Sequence, residues 1–167
     1  MKIIVLAGGL SPERDVSLTS GAGICKTLRE KGHQAFLLDV FFGLPYDTDK
    51  LDEVFDLPGG GLEIAEGIKT TVPDLEALKK QRPDQSDCLI GPNVLELCKM
   101  ADITFMGLHG SIGEDGKLQA MFDILDIHYT GPNALSCTLS MNKLVSKQIF
   151  KMSGVPTPRG TSLTPKT

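Results

Sequence analysis

Three side chains in this sequence stand where chemistry is done. Glu13 lies in a glycine-containing loop after an apolar run, and a carboxylate there can hold the ammonium group of a small substrate. His109 closes a second apolar run, Ile103 to Leu108, and precedes Gly110, so an imidazole stands beside a backbone free to turn sharply. Lys143 offers a positive charge within a late helical stretch. Each has a plainer reading alone. An acid before a helix complements the dipole, a histidine at a strand end can be satisfied by backbone, and most helix lysines are simply solvated. Together they offer more. A zwitterionic amino acid needs a carboxylate for its ammonium group and a donor for its carboxylate, and Glu13 and His109 supply both from neighbouring strand ends.

The elements that must position these groups emerge from apolar spacing. Ile103 to Leu108 is short and apolar enough for a buried parallel strand. Gly107, Gly110, Gly113 and Gly116 punctuate the end of that run and the loop after it. Leu118, Met121, Phe122 and Leu125 then fall on one helical face, with Glu114 and Asp115 just before it. The amino-terminal segment repeats this pattern. Ile3 to Ala7 is a strand, Gly8-Gly9 opens a polar loop, and a helix runs to Lys31, closed by Gly32. Its apolar face is Leu18, Ala22 and Cys25, and either Asp15 or Ser17 can serve as N-cap. Gln34 to Val40 reads as the next strand of a right-handed βαβ unit. In an open sheet of this doubly wound kind, ligands bind outside the carboxyl ends of the strands, where Glu13 and His109 lie.

Elsewhere the pattern is uneven. Phe41 to Pro92, with Gly59-Gly60-Gly61 and an acidic patch at Asp47, Asp49, Asp52, Glu53 and Asp56, reads as a variable insertion holding a short helix near Asp74 to Gln81. Asn93 and Glu96 resemble a capping box for a helix whose face is Val94, Leu97, Cys98 and Ala101. Ile127 to Thr130 reads as a short strand closed by Gly131-Pro132. One helix is expected from Ala134 to Met152, stopping at Gly154, and Val155-Pro156-Thr157-Pro158 reads as a hinge. The expected organisation is therefore one α/β domain over 1–154, with 155–167 leading out of it.

Composition removes several function classes. The chain has 167 residues and a net charge of −4 with interspersed Lys and Arg, not the basic stripe that a nucleic-acid partner requires. Cys25, Cys88, Cys98 and Cys137 show no CxxC spacing and no companion histidines, so neither a disulfide framework nor a structural metal is expected, and reduced thiols in a cytoplasmic setting are. No stretch is long and apolar enough to span a membrane. Neither glycine loop fits GxGxxG or the P-loop, and no serine-histidine-acid or cysteine-histidine arrangement is supported by spacing.

Three segments carry a family resemblance: Gly8-Gly9-Leu10-Ser11-Pro12-Glu13-Arg14-Asp15-Val16-Ser17, His109-Gly110-Ser111-Ile112-Gly113-Glu114-Asp115-Gly116, and Ser140-Met141-Asn142-Lys143. In this order and at these separations they resemble the motifs at the N-terminus of D-alanine-D-alanine ligases, across most of the chain outside 41–92. The resemblance implies a Rossmann-like, three-layer parallel α/β fold (a pre-ATP-grasp domain). It also implies a role in an ATP- and Mg2+-dependent ligase of peptidoglycan precursor synthesis. There ATP phosphorylates the carboxylate of one D-alanine, and the amine of a second attacks the acyl phosphate. By that likeness Glu13 orients the first ammonium group, Val16 and Ser17 line its pocket, His109 meets the activated carboxyl group, and Lys143 reaches the ATP phosphates. Asn142 stands where the family usually has aspartate, which removes a charge beside Lys143. The central and C-terminal ATP-grasp domains, with most of the ATP and Mg2+ sites, are expected beyond the hinge, and a homodimer is the expected assembly. Alternatives from the same motifs are a D-alanyl-D-lactate or D-alanyl-D-serine ligase, or a binding or dimerisation module without catalysis.

Overall fold

The computed structural model of the chain describes residues 1–47, 49–64, 71–161 and 163. Parts of the expected insertion (48 and 65–70) and of the segment beyond the expected hinge (162 and 164–167) lie outside the described residues. Three parallel strands, β1 (Lys2–Ala7), β2 (Gln34–Asp39) and β3 (Ile103–Met106), form a sheet in the order β2-β1-β3. Leu6 of β1 sits between Leu38 and Met106, so the three strands end together at one edge of the molecule.

Central β1 is apolar throughout because both its faces are covered. Ile3, Val5 and Ala7 point into one core with Leu18, Cys25, Ala35 and Leu37, and Ile4 and Leu6 into another with Leu97, Leu118 and Phe122. That alternation is the period of two of a strand, and burying each such side chain contributes roughly 1.5–3 kcal/mol. The first core lies under α1 (Arg14–Glu30), which rests directly on the sheet at Gly21. A Cβ on Gly21 would fall 2.7 Å from the Cβ of Ala7, so only glycine permits this approach. The second core lies under α3 (Val94–Met100) and α5 (Lys117–Ile124), completing the three-layer α/β arrangement.

Several expectations need correction. Asp15 and Ser17 do not cap α1: the helix starts earlier, at Arg14, and Glu13 occupies the cap position without a side-chain capping bond. Asn93 and Glu96 form no capping box, because Asn93 has φ near +60° and its amide donates to the Leu44 and Pro45 carbonyls instead. Ile127 to Thr130 is not a full strand but a single bridge from Tyr129 to Thr104, since the Thr130 hydroxyl, rather than backbone, accepts the Met106 N–H. The late helix is two helices, α6 (Ala134–Met141) and α7 (Lys143–Met152), divided at Asn142. A one-turn helix, α4 (Ser111–Glu114), precedes α5 where a loop was expected.

The stretch from Phe41 to Pro92, expected as a variable insertion, also contributes to the core. Phe41, Val54 and Phe55 are buried in it, and its expected helix is present as α2 (Leu75–Gln81), capped by Asp74. Arg82, only 1% exposed, donates to the carbonyls of Cys88 and Ile90 and lies over the Phe41 ring, so one buried guanidinium gathers the loop that leads back to the core.

Candidate active site

The loops after β1 and β3 lie side by side because their strands are neighbours, and buried polar side chains fasten them. The Ser17 hydroxyl, fully buried, accepts the Gly8 N–H at 2.9 Å and donates to the Gly107 carbonyl at 2.7 Å. One step further out, the Ser11 hydroxyl accepts the Glu13 N–H at 3.0 Å and donates to the His109 carbonyl at 3.2 Å. A third tie comes from β2. Asp39 at its end forms a buried ion pair with Arg14, and while Asp39 accepts from the Phe41 and Phe42 amides, Arg14 donates to the Gly9 carbonyl. Each charge has a partner and further hydrogen bonds, the condition under which a buried pair is tolerated.

These ties bring Glu13 and His109 to one edge. Gly110 has φ near +82°, and a Cβ added there would lie 2.8 Å from Ser11 Oγ and 3.2 Å from Glu13 Oε2, so Glu13 packs against the peptide after His109. The Glu13 side chain is exposed, and among the described residues no Lys or Arg forms a salt bridge with it. His109 is half-buried. Its Nδ1 lies 3.9 Å from Glu114 Oε1, while Glu114 Oε2 accepts the Gly110 N–H at 3.1 Å. Glu114 therefore braces the loop and faces the imidazole at once.

His109 and Lys143 line one cleft of about 690 Å³, together with Glu114, Gln119, Thr130 and Ser140. Glu13, Val16 and Ser17 do not line it. They stand on the adjoining α1 side, with Val16 exposed and Ser17 turned inward. Lys143 is the first residue of α7, and the side-chain carbonyl oxygen of Asn142 caps that helix by accepting the Val145 N–H at 3.1 Å. An amide serves as an N-cap about as well as a carboxylate, so Asn142 fixes where α7 begins, with Lys143 as its first residue. Cys137 also lines the cleft, but burial raises its thiol and keeps it protonated, as burial pushes Cys98 up to about 12. Neither is suited to act as a thiolate nucleophile. Among the described residues no group of three His, Cys, Asp or Glu side chains is placed to hold a metal ion.

Ser11 and Asp39 do not stand out from spacing as parts of this framework, and Glu114, read from the sequence only as an acid before a helix, also braces the Gly110 loop. A signal exists for one: Asp39 ends the otherwise apolar run Ala35 to Leu38, and a charge there calls for a buried partner. Ser11 gives no comparable signal, because its second partner is remote in sequence.

The chain is an open parallel α/β domain with glycine loops at the carboxyl ends of β1 and β3, one carrying an acid and the other a histidine, and in sheets of this kind the crevice outside the strand ends is where ligands bind. The sequence pattern described as "D-ala D-ala ligase N-terminus" matches residues 2–132, and the chain belongs to that family. It is 45% identical over 159 residues to a D-alanine–D-alanine ligase of Lacticaseibacillus casei strain BL23, covering 94% of this chain and 43% of the relative. It is 39% identical over 160 residues to one of Pediococcus pentosaceus, covering 94% and 44%. The chain thus spans less than half the length of these curated relatives. In fold it resembles a Bacillus anthracis D-alanine–D-alanine ligase whose crystal structure is complexed with ATP, with a TM-score of 0.58 at 23% identity, over 95% of this chain and 38% of that one.

Proposed function

We propose that this domain supplies the first-substrate half of the active site of an ATP-dependent D-alanine–D-alanine ligase acting in cytoplasmic peptidoglycan precursor synthesis. The observation that supports the reading is the Ser11 hydroxyl joining the loops of Glu13 and His109 through the Glu13 N–H and the His109 carbonyl, with Lys143 on the cleft that His109 lines. The exposed Glu13 carboxylate holds the ammonium group of the first D-alanine, beside Val16 and the pocket wall fixed by Ser17. His109 meets the carboxylate as ATP phosphorylates it, and its ring, backed by Glu114, offsets the negative charge that grows there. Lys143 reaches the phosphates of ATP as a point charge. The amine of the second D-alanine, once its ammonium group has lost a proton to solvent, then attacks the acyl phosphate carbon, the C–N bond forms, the C–O bond to phosphate breaks and inorganic phosphate leaves. Among the described residues no group of three His, Cys, Asp or Glu side chains is placed to hold Mg2+, and the residues that would bind that ion and most of the ATP belong to the ATP-grasp domains of the full-length enzyme. The relatives' names favour D-alanine over D-lactate or D-serine as the second substrate.

The test is steady-state ligation by the full-length enzyme carrying this domain. Glu13→Gln should lower kcat/KM for the first D-alanine, tenfold for each ~1.4 kcal/mol of transition-state binding removed. His109→Gln should depress kcat more than apparent affinity, because the charge it meets grows during acyl-phosphate formation. Normal kinetics with lowered melting temperatures in both variants would sink the proposal.

A further inference from the structure

The geometry points to Ser11 as a positioning residue that holds Glu13 and His109 in one site. Its hydroxyl has two bonds, and each goes to the backbone of a different functional residue: it accepts from the Glu13 N–H and donates to the His109 carbonyl. The first bond alone would mean little. A serine accepting from the amide two residues on is a common local turn and needs no role beyond starting a helix. The second spans the two motif loops, and Ser11 is 1% exposed, so water does not compete for either bond. Gly110 packs against the same hydroxyl, close to Glu13 Oε2. The carboxylate, the serine and the peptide after the histidine therefore form one stack, and the serine is the member bonded to both sides.

Ser17 fastens the same two loops nearer the sheet, through Gly8 and Gly107. The fold therefore keeps a tie between β1 and β3 when the outer one is removed. What changes on loss of the Ser11 hydroxyl is the distance between Glu13 and His109, which both ends of one small substrate must match.

This inference rests on the reading of Glu13 as the ammonium-binding group, and its test is a double-mutant cycle in the full-length enzyme. Ser11→Ala should lower kcat/KM for the first D-alanine roughly threefold to tenfold, the range set by the one of its two bonds that crosses between the loops, to the His109 carbonyl. The loss should fall mainly on KM, with a modest fall in melting temperature because the Glu13 N–H and the His109 carbonyl lose a buried partner. In a Glu13→Gln background the same substitution should cost little more, because the group it positions no longer carries the charge. Equal losses in both backgrounds, normal kinetics with a lowered melting temperature, or a variant that does not fold would each return Ser11 to a purely structural role. A Glu13→Gln enzyme with unchanged kcat/KM would instead overturn the underlying reading of the site, and this inference with it.

Discussion

Ser17 is the residue whose chemistry is most fully occupied by the protein itself. Both hydrogen bonds of its hydroxyl go to backbone groups in the interior, so Ser17→Ala leaves the Gly8 N–H and the Gly107 carbonyl without that partner. An unsatisfied buried group costs about 1–3 kcal/mol. Denaturant unfolding should show a loss of that order with an unchanged slope, whereas Glu13→Gln, at an exposed carboxylate without a capping bond, should leave stability nearly intact. The contrast explains what was legible at this scale. Glu13, His109 and Lys143 announce themselves because a charged or titratable group beside glycine in a strand-end loop, or at a helix that faces one, is a recognisable pattern. Ser11 and Ser17 work through backbone atoms far away in sequence, and no local spacing reveals such partners.

Elements were legible where apolar spacing governed them. β1, the α1 face, the α5 face with buried Leu118 and Phe122, and the face of α3 all obey it. Their ends were less legible, because caps depend on which competing partner a polar side chain finds. Asn93 is drawn to the Leu44 and Pro45 carbonyls, while Asn142, expected inside a helix, ends one helix and starts the next. Asn142→Ala should therefore cost about 1 kcal/mol in thermal unfolding, and Asn142→Asp should restore it. The 82–90 loop carries a pH dependence of its own. Hydrogen bonding to Arg82 holds the Asp84 carboxyl below its usual value. A carboxyl with a depressed folded-state pKa adds stability at pH above about 4, its unfolded value, and loses it as pH falls through the folded one. Unfolding measured from neutral to acid pH should thus show a shallower acid limb for Asp84→Asn than for the unaltered chain.

At the scale of the whole molecule, β1 to α5 form a body with cores on both faces of the sheet, whereas α7 buries none of its residues and leaves Leu144, Ile149, Phe150 and Met152 exposed. The 167-residue chain should fold alone on that body, seen as a cooperative thermal transition. It should make no D-alanyl-D-alanine from ATP and D-alanine, and dipeptide detected from the purified domain would contradict the division of labour proposed above. A homodimer is also expected, and sedimentation at tens of micromolar, as an order of magnitude for weak interfaces, would expose a monomer.

The contact at Gly21 reaches further than local packing. Because the helix touches the sheet where no side chain fits, α1 has one permitted rotation about its own axis, and Glu13 sits at its head. Deleting or adding a single residue between Glu13 and Gly21 would turn the intervening stretch by about 100° and bring a side chain to the place reserved for none. The length of that stretch is therefore as much a specification of the site as the acid itself: the phase of a helix, set two turns away, aims the carboxylate.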